Sequence, residues 1–198
     1  MIRFAGQDAR SGDTGAMMRL HEQIAHSLSE LKGLCSDVPT TVDWSTDGGP
    51  AIAADFTVVD SLSCGFRELR VSADELKSAP FDALRTWADT LCKKVTYLLE
   101  HIGPLERDAA AQTVLIRSTP PSKLPGTNQP ATNQPATNQP GQTTFYEMLV
   151  QAPGTLSLRR YTRAAHNSDR NSCDIQITHE VLVKLVQDIV AAIPSAAP

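Results

Sequence analysis

Residues 42–71, VDWSTDGGPAIAADFTVVDSLSCGFRELRV, decide the fold of this 198-residue chain. On both sides of a turn at residues 47–50, apolar side chains alternate with polar or small ones, which is the pattern of a β-hairpin with one buried face. A second turn, at residues 60 and 61, leads into a third alternating run. The apolar phase of that run shifts by one residue after Phe66, and such a shift beside Gly65 predicts a β-bulge. The stretch therefore predicts three antiparallel strands.

The segment before these strands predicts an amphipathic helix. Asp13 or Thr14 can cap its first turn, and Pro39 is expected to end any continuation. Its apolar residues recur in steps of three and four, which keeps them on one face of a helix. They are Met17, Leu20, Ile24, Leu28, Leu31 and Cys35. Residues 1–12 precede this pattern and are expected to form a disordered tail.

A second helix is expected to begin near Pro80, after a capping-box pattern formed by Ser72 and Glu75. Its apolar stripe ends at Gly103, and the proline that follows this glycine is a common stop signal for helices. The stripe comprises Phe81, Leu84, Trp87 or Ala88, Leu91, Val95, Leu98 and Ile102.

The C-terminal part of the chain predicts further strands and a third helix. The strands are expected at 113–117, 145–150, 156–161 and, as a short one, 174–177. Thr178 can cap the helix, and Glu180 lies in its first turn, where a carboxylate suits the helix dipole. Apolar residues cover about 180° of this helix, which is wider than the ~100° stripe of an ordinary surface helix. We therefore expect it to contact its own sheet and also another helix or another subunit.

A low-complexity segment separates two of these strands. Residues 119–143, TPPSKLPGTNQPATNQPATNQPGQT, contain three copies of TNQP and a single large apolar residue, Leu124. Such a composition cannot bury enough apolar surface to offset the entropy of ordering the chain. We expect a solvated loop inserted passively between strands, because no PxxP core with basic flanks indicates a proline-rich ligand.

These elements predict an α+β protein in which about three helices pack on an antiparallel β-sheet. Their order is α-βββ-α-β-(linker)-ββ-α, and residues 13–118 and 144–194 are expected to form one domain. The composition, 41% hydrophobic and 20% charged with a net charge of −4, is typical of a soluble globular protein. No apolar run reaches the ~18 residues that span a bilayer, and no signal-peptide pattern is present. We therefore expect a cytoplasmic protein without a membrane partner.

The order of elements resembles that of the type III secretion chaperones, which are small acidic cytosolic dimers. The resemblance is one of element order alone, and it implies chaperone-like binding of another protein by a dimer. Because no motif is shared, it assigns a role to no individual residue.

The sequence offers no arrangement typical of metal or nucleotide chemistry. Residues 21–26, HEQIAH, resemble the zinc-binding HExxH, but the one extra residue puts His21 and His26 about 140° apart around a helix. No glycine-rich phosphate loop and no G-x-S-x-G serine is present. We therefore expect neither a metal nor a cofactor.

The four cysteines form no C-x-x-C pair. Cys35 and Cys92 lie on the apolar stripes of predicted helices, and Cys64 and Cys173 lie in predicted strands. Such core positions favour reduced thiols, although the spacing alone leaves a disulfide open.

Two groups of charged residues are candidates for binding. The first is a basic segment whose arginine forks suit carboxylates or phosphates, and it comprises Arg159, Arg160, Arg163, His166 and Arg170. Alternation places Arg159 and Arg160 on opposite faces of their strand. The second is Glu147, which would need a partner if buried, and Arg117 or Arg160 on neighbouring strands can supply one. A solvated strand edge and a structural ion pair are the simpler interpretations of these groups.

The sequence favours a non-enzymatic protein–protein interaction or chaperone-like module that self-associates, as a homodimer or with a protein partner. The apolar arc of the last helix supplies candidate interaction residues: Leu182, Val186, Ile189, Val190 and Ile193. The alternative is an anion-binding or catalytic domain that uses segment 159–170 to hold phosphate or nucleic acid. Since the net charge is negative, nucleic acid is the less favoured ligand. Whether the chain is an enzyme stays open, and no catalytic residue is assigned.

Overall fold

Three α-helices lie on one face of a ten-stranded β-sheet in the computed structural model, which describes residues 18–46, 48–98, 100–119, 122–123, 143–163 and 169–195. The helices are α1 (Leu20–Glu30), α2 (Phe81–Lys94) and α3 (His179–Ala191). The strands are β1 (Cys35–Ser45), β2 (Ala51–Val59), β3 (Ser63–Ser72), β4 (Ile102–Asp108), β5 (Thr113–Ser118), β6 (Ser122–Lys123), β7 (Thr143–Gln151), β8 (Thr155–Arg163), β9 (Arg170–Cys173) and β10 (Ile175–Thr178). The predicted α+β class and the general order of its elements are confirmed.

The main strands follow the order β1-β2-β3-β8-β7-β5-β4, and neighbouring strands are antiparallel. The hairpin of β7 and β8 joins the first three strands where β8 pairs with β3. Beyond Glu68 and Arg159 these two strands diverge, and the fork between them is filled by β10, which pairs with β3, and β9, which pairs with β8. The pairing of β2 with β3 shifts register on both sides of Phe56, opposite Phe66 and Gly65, so the predicted bulge is confirmed.

The core lies between the helices and one face of the sheet. Trp44, Phe56 and Phe66 meet edge to face on this face, with successive ring centroids 6.0 Å apart. Trp87 of α2 is fully buried, and its indole N–H donates to the carbonyl of Ile189 in α3 at 3.3 Å. The core therefore joins both helices to the sheet.

Helix α3 contacts both α1 and α2 as well as β10. The Thr178 hydroxyl caps it by accepting a hydrogen bond from the Val181 amide at 3.3 Å, as the sequence predicts. The second neighbour expected from the wide apolar arc of this helix is therefore supplied within the chain.

Helix α1 is shorter than predicted. It ends at Glu30, and Gly33 then adopts a φ of +91°, which turns the chain into β1. The placement of Cys35 on the helical stripe is wrong, because this residue begins β1 and is exposed. Pro39 does not end a helix; it lies within β1, where an edge strand beside a register shift tolerates the missing N–H. The predicted caps at 13 and 14 lie outside the described residues.

The second helix is also shorter than predicted. α2 ends at Lys94, and Ile102 begins strand β4 where the prediction had the last helical turn. Val95, Leu98 and Ile102 are nevertheless buried. Spacings of three and four residues identified core positions here, but such spacings also fit a loop that returns to the core. Because β4 is an edge strand, it tolerates the proline that the prediction took for a helix stop.

Two predicted segments fall mostly outside the described residues: the tail 1–12 and the low-complexity loop 119–143. In the described part of the loop, Lys123 of β6 pairs with Thr143 of β7. The chain thus leaves the sheet and re-enters it at neighbouring positions. A passive, solvated loop between them stays a prediction.

Candidate interaction surface

The face of the sheet opposite the helices carries an extended charged network. Among the described residues no helix packs on this face, which we call the open face. Its side chains alternate with core positions along β2, β3, β8, β7 and β5. They are Ala53, Asp55, Glu68, Arg70, Ser157, Arg159, Glu147, Leu149, Leu115 and Arg117.

Four charged residues form a row across the central strands. Glu68 of β3 stands opposite Arg159 of β8, and Arg159 stands opposite Glu147 of β7. Glu147 in turn stands opposite Arg117 of β5. Opposite charges that face each other on antiparallel strands stabilise the pairing. We call this row the charge ladder, and its signs from β3 to β5 are minus, plus, minus, plus.

The β3 end of the ladder continues into β2 and β1. Arg70 holds Asp55 through both terminal nitrogens, with Nη1–Oδ2 at 2.6 Å and Nη2–Oδ1 at 2.9 Å. Arg70 Nη1 also donates to Glu68 Oε2 at 3.0 Å, and Arg159 Nη2 donates to the same oxygen at 2.9 Å. The Thr41 hydroxyl donates to Asp55 Oδ1 at 2.7 Å. One network thus connects the side chains of β1, β2, β3 and β8.

Pairing decides the charge state of this network. Burial raises the pKa of Asp55, but the hydrogen bonds from Arg70 and Thr41 and the charge of Arg70 outweigh burial, so that the pKa lies below its usual value. The pKa of Arg159 is raised, chiefly by its hydrogen bond to Glu68. Both groups are therefore charged at neutral pH.

The β5 end of the ladder is a stack of cations and rings. Glu147 Oε2 accepts hydrogen bonds from Arg117 Nη2 at 2.8 Å and from Arg170 Nη1 at 2.7 Å. The Arg117 guanidinium lies 4.8 Å from the ring centroid of Phe145, and that of Arg170 lies 4.6 Å from the centroid of Tyr161. The two rings stack with centroids 5.8 Å apart. Cation–π contacts and a shared carboxylate together fix the positions of these side chains.

Beside the ladder the open face has a groove of about 940 Å³. Small residues line much of it: Ala51, Ala53, Ser72, Thr155 and Ser157. Leu149 supplies an apolar side chain, and Glu68, Arg70 and Arg159 supply charged ones. Because its small residues leave room above the strands, the groove can admit side chains from another molecule.

A second groove, of about 560 Å³, lies on the helical side of the molecule. It runs between α1 and α3 and is lined in part by Leu28, Val183 and Gln187. His179 at its edge places Nε2 3.1 Å from the carbonyl of Ser63, so this imidazole is engaged with the backbone. The charged network lies on the other side of the sheet.

The structure divides the predicted basic segment. Arg159 lies in the charge ladder, and Arg170 reaches Glu147 from β9. Arg163 is exposed at the end of β8. His166 lies outside the described residues. Strand β8 and the fork thus bring two of the five predicted residues onto the open face, where Arg159 pairs with Glu68 and Arg170 pairs with Glu147.

Arg160 lies on the helical side of the sheet, as strand alternation predicts. Its guanidinium lies 5.0 Å from the ring centroid of Tyr146, and Nη2 is 3.8 Å from Oε1 of the buried Glu100. The Arg160 Nε and the second Glu100 oxygen have no hydrogen-bond partner among the described residues. Charge neutralisation therefore dominates this pair, and Arg160 takes no part in the open face.

The predicted interaction helix is partly used within the chain. Leu182, Val186 and Ile189 are fully buried in the core. Val190 and Ile193 are partly buried against the same core. The first three side chains are thus occupied by the fold of one chain, and a role of this helix in association stays a prediction.

The partner predicted for Glu147 is confirmed in one of its two alternatives. Arg117 pairs with Glu147, whereas Arg160 lies on the other face. Arg170 takes the second position, and sequence reasoning had not connected it with Glu147. Alternation alone could not find this contact, because Arg170 enters through the fork from a separate strand.

Sequence reasoning also missed Glu68 and Arg70 as members of the network. The signal was present, since both differ in phase from the apolar Leu69 and Val71. That signal places the two side chains opposite the core, but it does not show that β8 pairs with β3. The pairing of strands distant in sequence completes the ladder.

The cysteines and histidines assemble no metal site in the part of the chain that the structure describes, where no three metal-ligating side chains converge. The four thiols are free. Burial raises the pKa of Cys64 to about 12 and that of Cys92 to about 11, which keeps both thiols protonated. His21 and His26 are both exposed on α1.

Comparison with known proteins identifies no relative of this chain. No family model matches the chain, no curated protein matches it, and no solved structure matches its fold. Each helix in the described part of the chain is too short or too polar to span a lipid bilayer.

Proposed function

We propose that this protein is a non-enzymatic, cytoplasmic protein–protein interaction module that binds its partner on the open face of the sheet. The observation that carries the proposal is the charge ladder on a face that no described helix covers. A surface of fixed, alternating charges is complementary to another protein surface and not to a ligand of a single sign.

Pairing of the arginines with carboxylates of the same chain supports protein binding over anion binding. Arg159 is paired with Glu68, and Arg117 and Arg170 share Glu147. An incoming phosphate would therefore compete with the carboxylates that these guanidinium groups already bind. A protein partner can instead leave the intrachain pairs intact and use the donors that remain on each guanidinium.

The rigidity of the face also supports this proposal. Each ladder side chain is held by an ion pair. Arg117 also lies over the Phe145 ring, and Glu68 also accepts a hydrogen bond from Arg70. Side chains already ordered in the free protein lose less entropy on association.

A site-specific photocrosslinker tests the proposal in cells. Placed at Asp43, an exposed open-face residue at the groove, it should form discrete adducts with protein. Placed at Gln187 in the second groove, it is the matched control and should form none. Leu149→Lys should abolish the Asp43 adducts, whereas Leu62→Lys, at a turn residue that is 75% exposed, should not. Adducts from Gln187 only, or adducts insensitive to Leu149→Lys, would overturn the proposal.

The anion-binding alternative has its own measurement. The melting temperature of the full chain is followed with inorganic phosphate and with single-stranded oligonucleotides. We expect no specific rise, because each of these guanidiniums already holds a carboxylate of the same chain. A saturable rise that Arg159→Ala and Arg170→Ala abolish would replace the protein partner with an anion.

A further inference from the structure

The charge ladder is complementary to a reversed copy of itself. From β3 to β5 its residues are Glu68, Arg159, Glu147 and Arg117, with signs minus, plus, minus, plus. In the opposite direction the signs are plus, minus, plus, minus. A second ladder laid on the first in reverse order therefore places an opposite charge at every position.

A single rotation generates this reversed copy. Its axis lies in the plane between two facing sheets, parallel to the strands and midway between β8 and β7. Since neighbouring strands are about 4.8 Å apart, each of these two strands is about 2.4 Å from the axis. A half-turn keeps each row at its level along the strands and reverses the order of the strands. Arg159 then faces Glu147 of the second copy, and Glu68 faces Arg117 of the second copy.

In the rows on either side of the ladder, the residues of β8 and β7 lie nearest the axis and face each other under the same rotation. Tyr161 and Phe145 are paired across β8 and β7, so the half-turn places this pair of rings, with the guanidiniums of Arg170 and Arg117 that lie over them, opposite the same pair of the second copy. In the other direction Ser157 is paired with Leu149, and Leu149 with Leu115. The small Ser157 then leaves room for Leu149 of the second copy. At the axis this row is thus compatible in size, and farther out the rotation places Arg70 opposite Leu115 of the second copy.

The ladder can bind a second copy without giving up its intrachain bonds. Every intrachain hydrogen bond described for Glu68 and Glu147 is accepted by Oε2. The side chains of Arg159 and Arg117 are 47% and 31% exposed, so their outer N–H groups are accessible, whereas those of Glu68 and Glu147 are 12% and 10% exposed. These groups can donate to the carboxylates that the second copy brings opposite them.

We propose that the partner bound on the open face is a second copy of this chain, in a two-fold dimer whose sheets pack face to face; this inference rests on the proposed function. Charge complementarity of the ladder with itself is the argument for this occupant. Two packed sheets lie about 10 Å apart, a distance that side chains from both faces fill.

Sedimentation of the full chain tests the dimer. We expect dimers at micromolar concentration, and Leu149→Lys should raise the dissociation constant at least tenfold because it puts a cation beside the two-fold axis in each copy. Leu62→Lys is the matched control and should leave the constant unchanged. A wild-type chain that stays monomeric up to ~100 µM, well above the expected micromolar range, overturns the proposal.

Charge reversal tests the geometry of the dimer. Arg159→Glu alone places a carboxylate opposite Glu147 of the second copy, and we expect at least a tenfold weaker dimer. The double variant Arg159→Glu with Glu147→Arg restores opposite charges across the interface, and we expect its dissociation constant to return toward the wild-type value. The same double variant loses all three intrachain ion pairs of Glu68 and Glu147 with Arg159, Arg117 and Arg170.

A ladder that joins two copies and a ladder that only stabilises the monomer therefore predict different dissociation constants for the double variant relative to the single one. If the ladder only stabilises the monomer, the double variant dimerises no better than the single one, and the proposal is overturned. Near-ultraviolet circular dichroism reports whether each variant is folded. If the charge-reversal variants do not fold, the folded Leu149→Lys variant still tests whether the open face forms the dimer.

Failure of the dimer is distinguishable from failure of the proposed function. A wild-type monomer whose Asp43 crosslinker captures a different protein, in a manner abolished by Leu149→Lys, overturns only the second copy as partner. A wild-type monomer that forms no such adduct overturns both.

Discussion

Glu147 holds two guanidinium groups on one carboxylate oxygen, so its removal leaves Arg117 and Arg170 without a shared acceptor. We expect Glu147→Ala to lower the free energy of unfolding by about 1–3 kcal/mol, because breaking a buried ion pair is unfavourable and the exposure of both guanidiniums reduces the effect. Urea denaturation measures the change. Glu106→Ala, at an exposed position of β4, is the control and should change stability by less than about 0.5 kcal/mol. Equal effects of the two substitutions would contradict the role of Glu147.

Asp60 links stability to pH at the turn before β3. Its Oδ1 accepts the amides of Leu62 and Ser63, both at 2.7 Å, and these bonds lower the pKa of Asp60 from 3.8 to about 2. A carboxylate whose pKa is depressed on folding contributes stability above its unfolded pKa and loses that contribution as pH falls through the folded value. The contribution of Asp60 is therefore present above about pH 4 and disappears towards pH 2.

The variant Asp60→Asn isolates this effect. The amide oxygen of asparagine can still accept both backbone bonds, but it does not titrate. We expect the unfolding free energy of the variant to depend less steeply on pH between 4 and 2 than that of the wild type, as measured by urea denaturation at several pH values. Parallel pH profiles of the two proteins would show that Asp60 does not carry this dependence.

At the scale of elements, α3 is mainly a core helix. Ile189 is fully buried and lies where the Trp87 indole donates to its carbonyl. We expect Ile189→Ala to lower the free energy of unfolding by about 2–4 kcal/mol through lost burial and the cavity left behind. Gln187→Ala, on the exposed side of the same helix, should change it by less than about 0.5 kcal/mol.

The same pair of variants separates folding from association. If α3 serves mainly the core, Ile189→Ala weakens folding in denaturant and leaves the dissociation constant of the folded protein unchanged in sedimentation. A folded Ile189→Ala chain that no longer associates, with little loss of stability, would show that α3 forms the interface.

At the scale of the whole molecule, the low-complexity segment is expected to be dispensable for the fold. Lys123 and Thr143 pair directly, so a short turn can connect them. We expect replacement of residues 124–142 by a short Gly/Ser loop to change the free energy of unfolding by less than about 1 kcal/mol, since loop closure depends only weakly on length. Thermal and urea unfolding measure this. A large destabilisation would give the segment a structural role.

The sequence was informative about local structure and about which side chains are buried. Alternation along 42–71 predicted three strands and a bulge, and the step pattern of α2 identified its core face. Periodicity failed where α2 ends, because Val95, Leu98 and Ile102 keep helical spacing while they lie in a loop and a strand. Burial follows from the spacing of apolar residues, whereas the backbone conformation at an element's end depends on the neighbours that the chain meets there.

The candidate site divides in the same way. Alternation alone separated Arg159 from Arg160, because the side-chain period of a strand is a local property, but the sequence left Arg117 and Arg160 as alternative partners of Glu147. The ladder depends on β3 pairing with β8, and the contact of Arg170 with Glu147 depends on the fork that β9 and β10 fill. Those pairings join residues far apart in the chain, and no local pattern encodes them. The sequence by itself thus determined which residues carry charge on the solvent side of each strand, and the tertiary structure alone decided which charges meet, because strand order sets the neighbours.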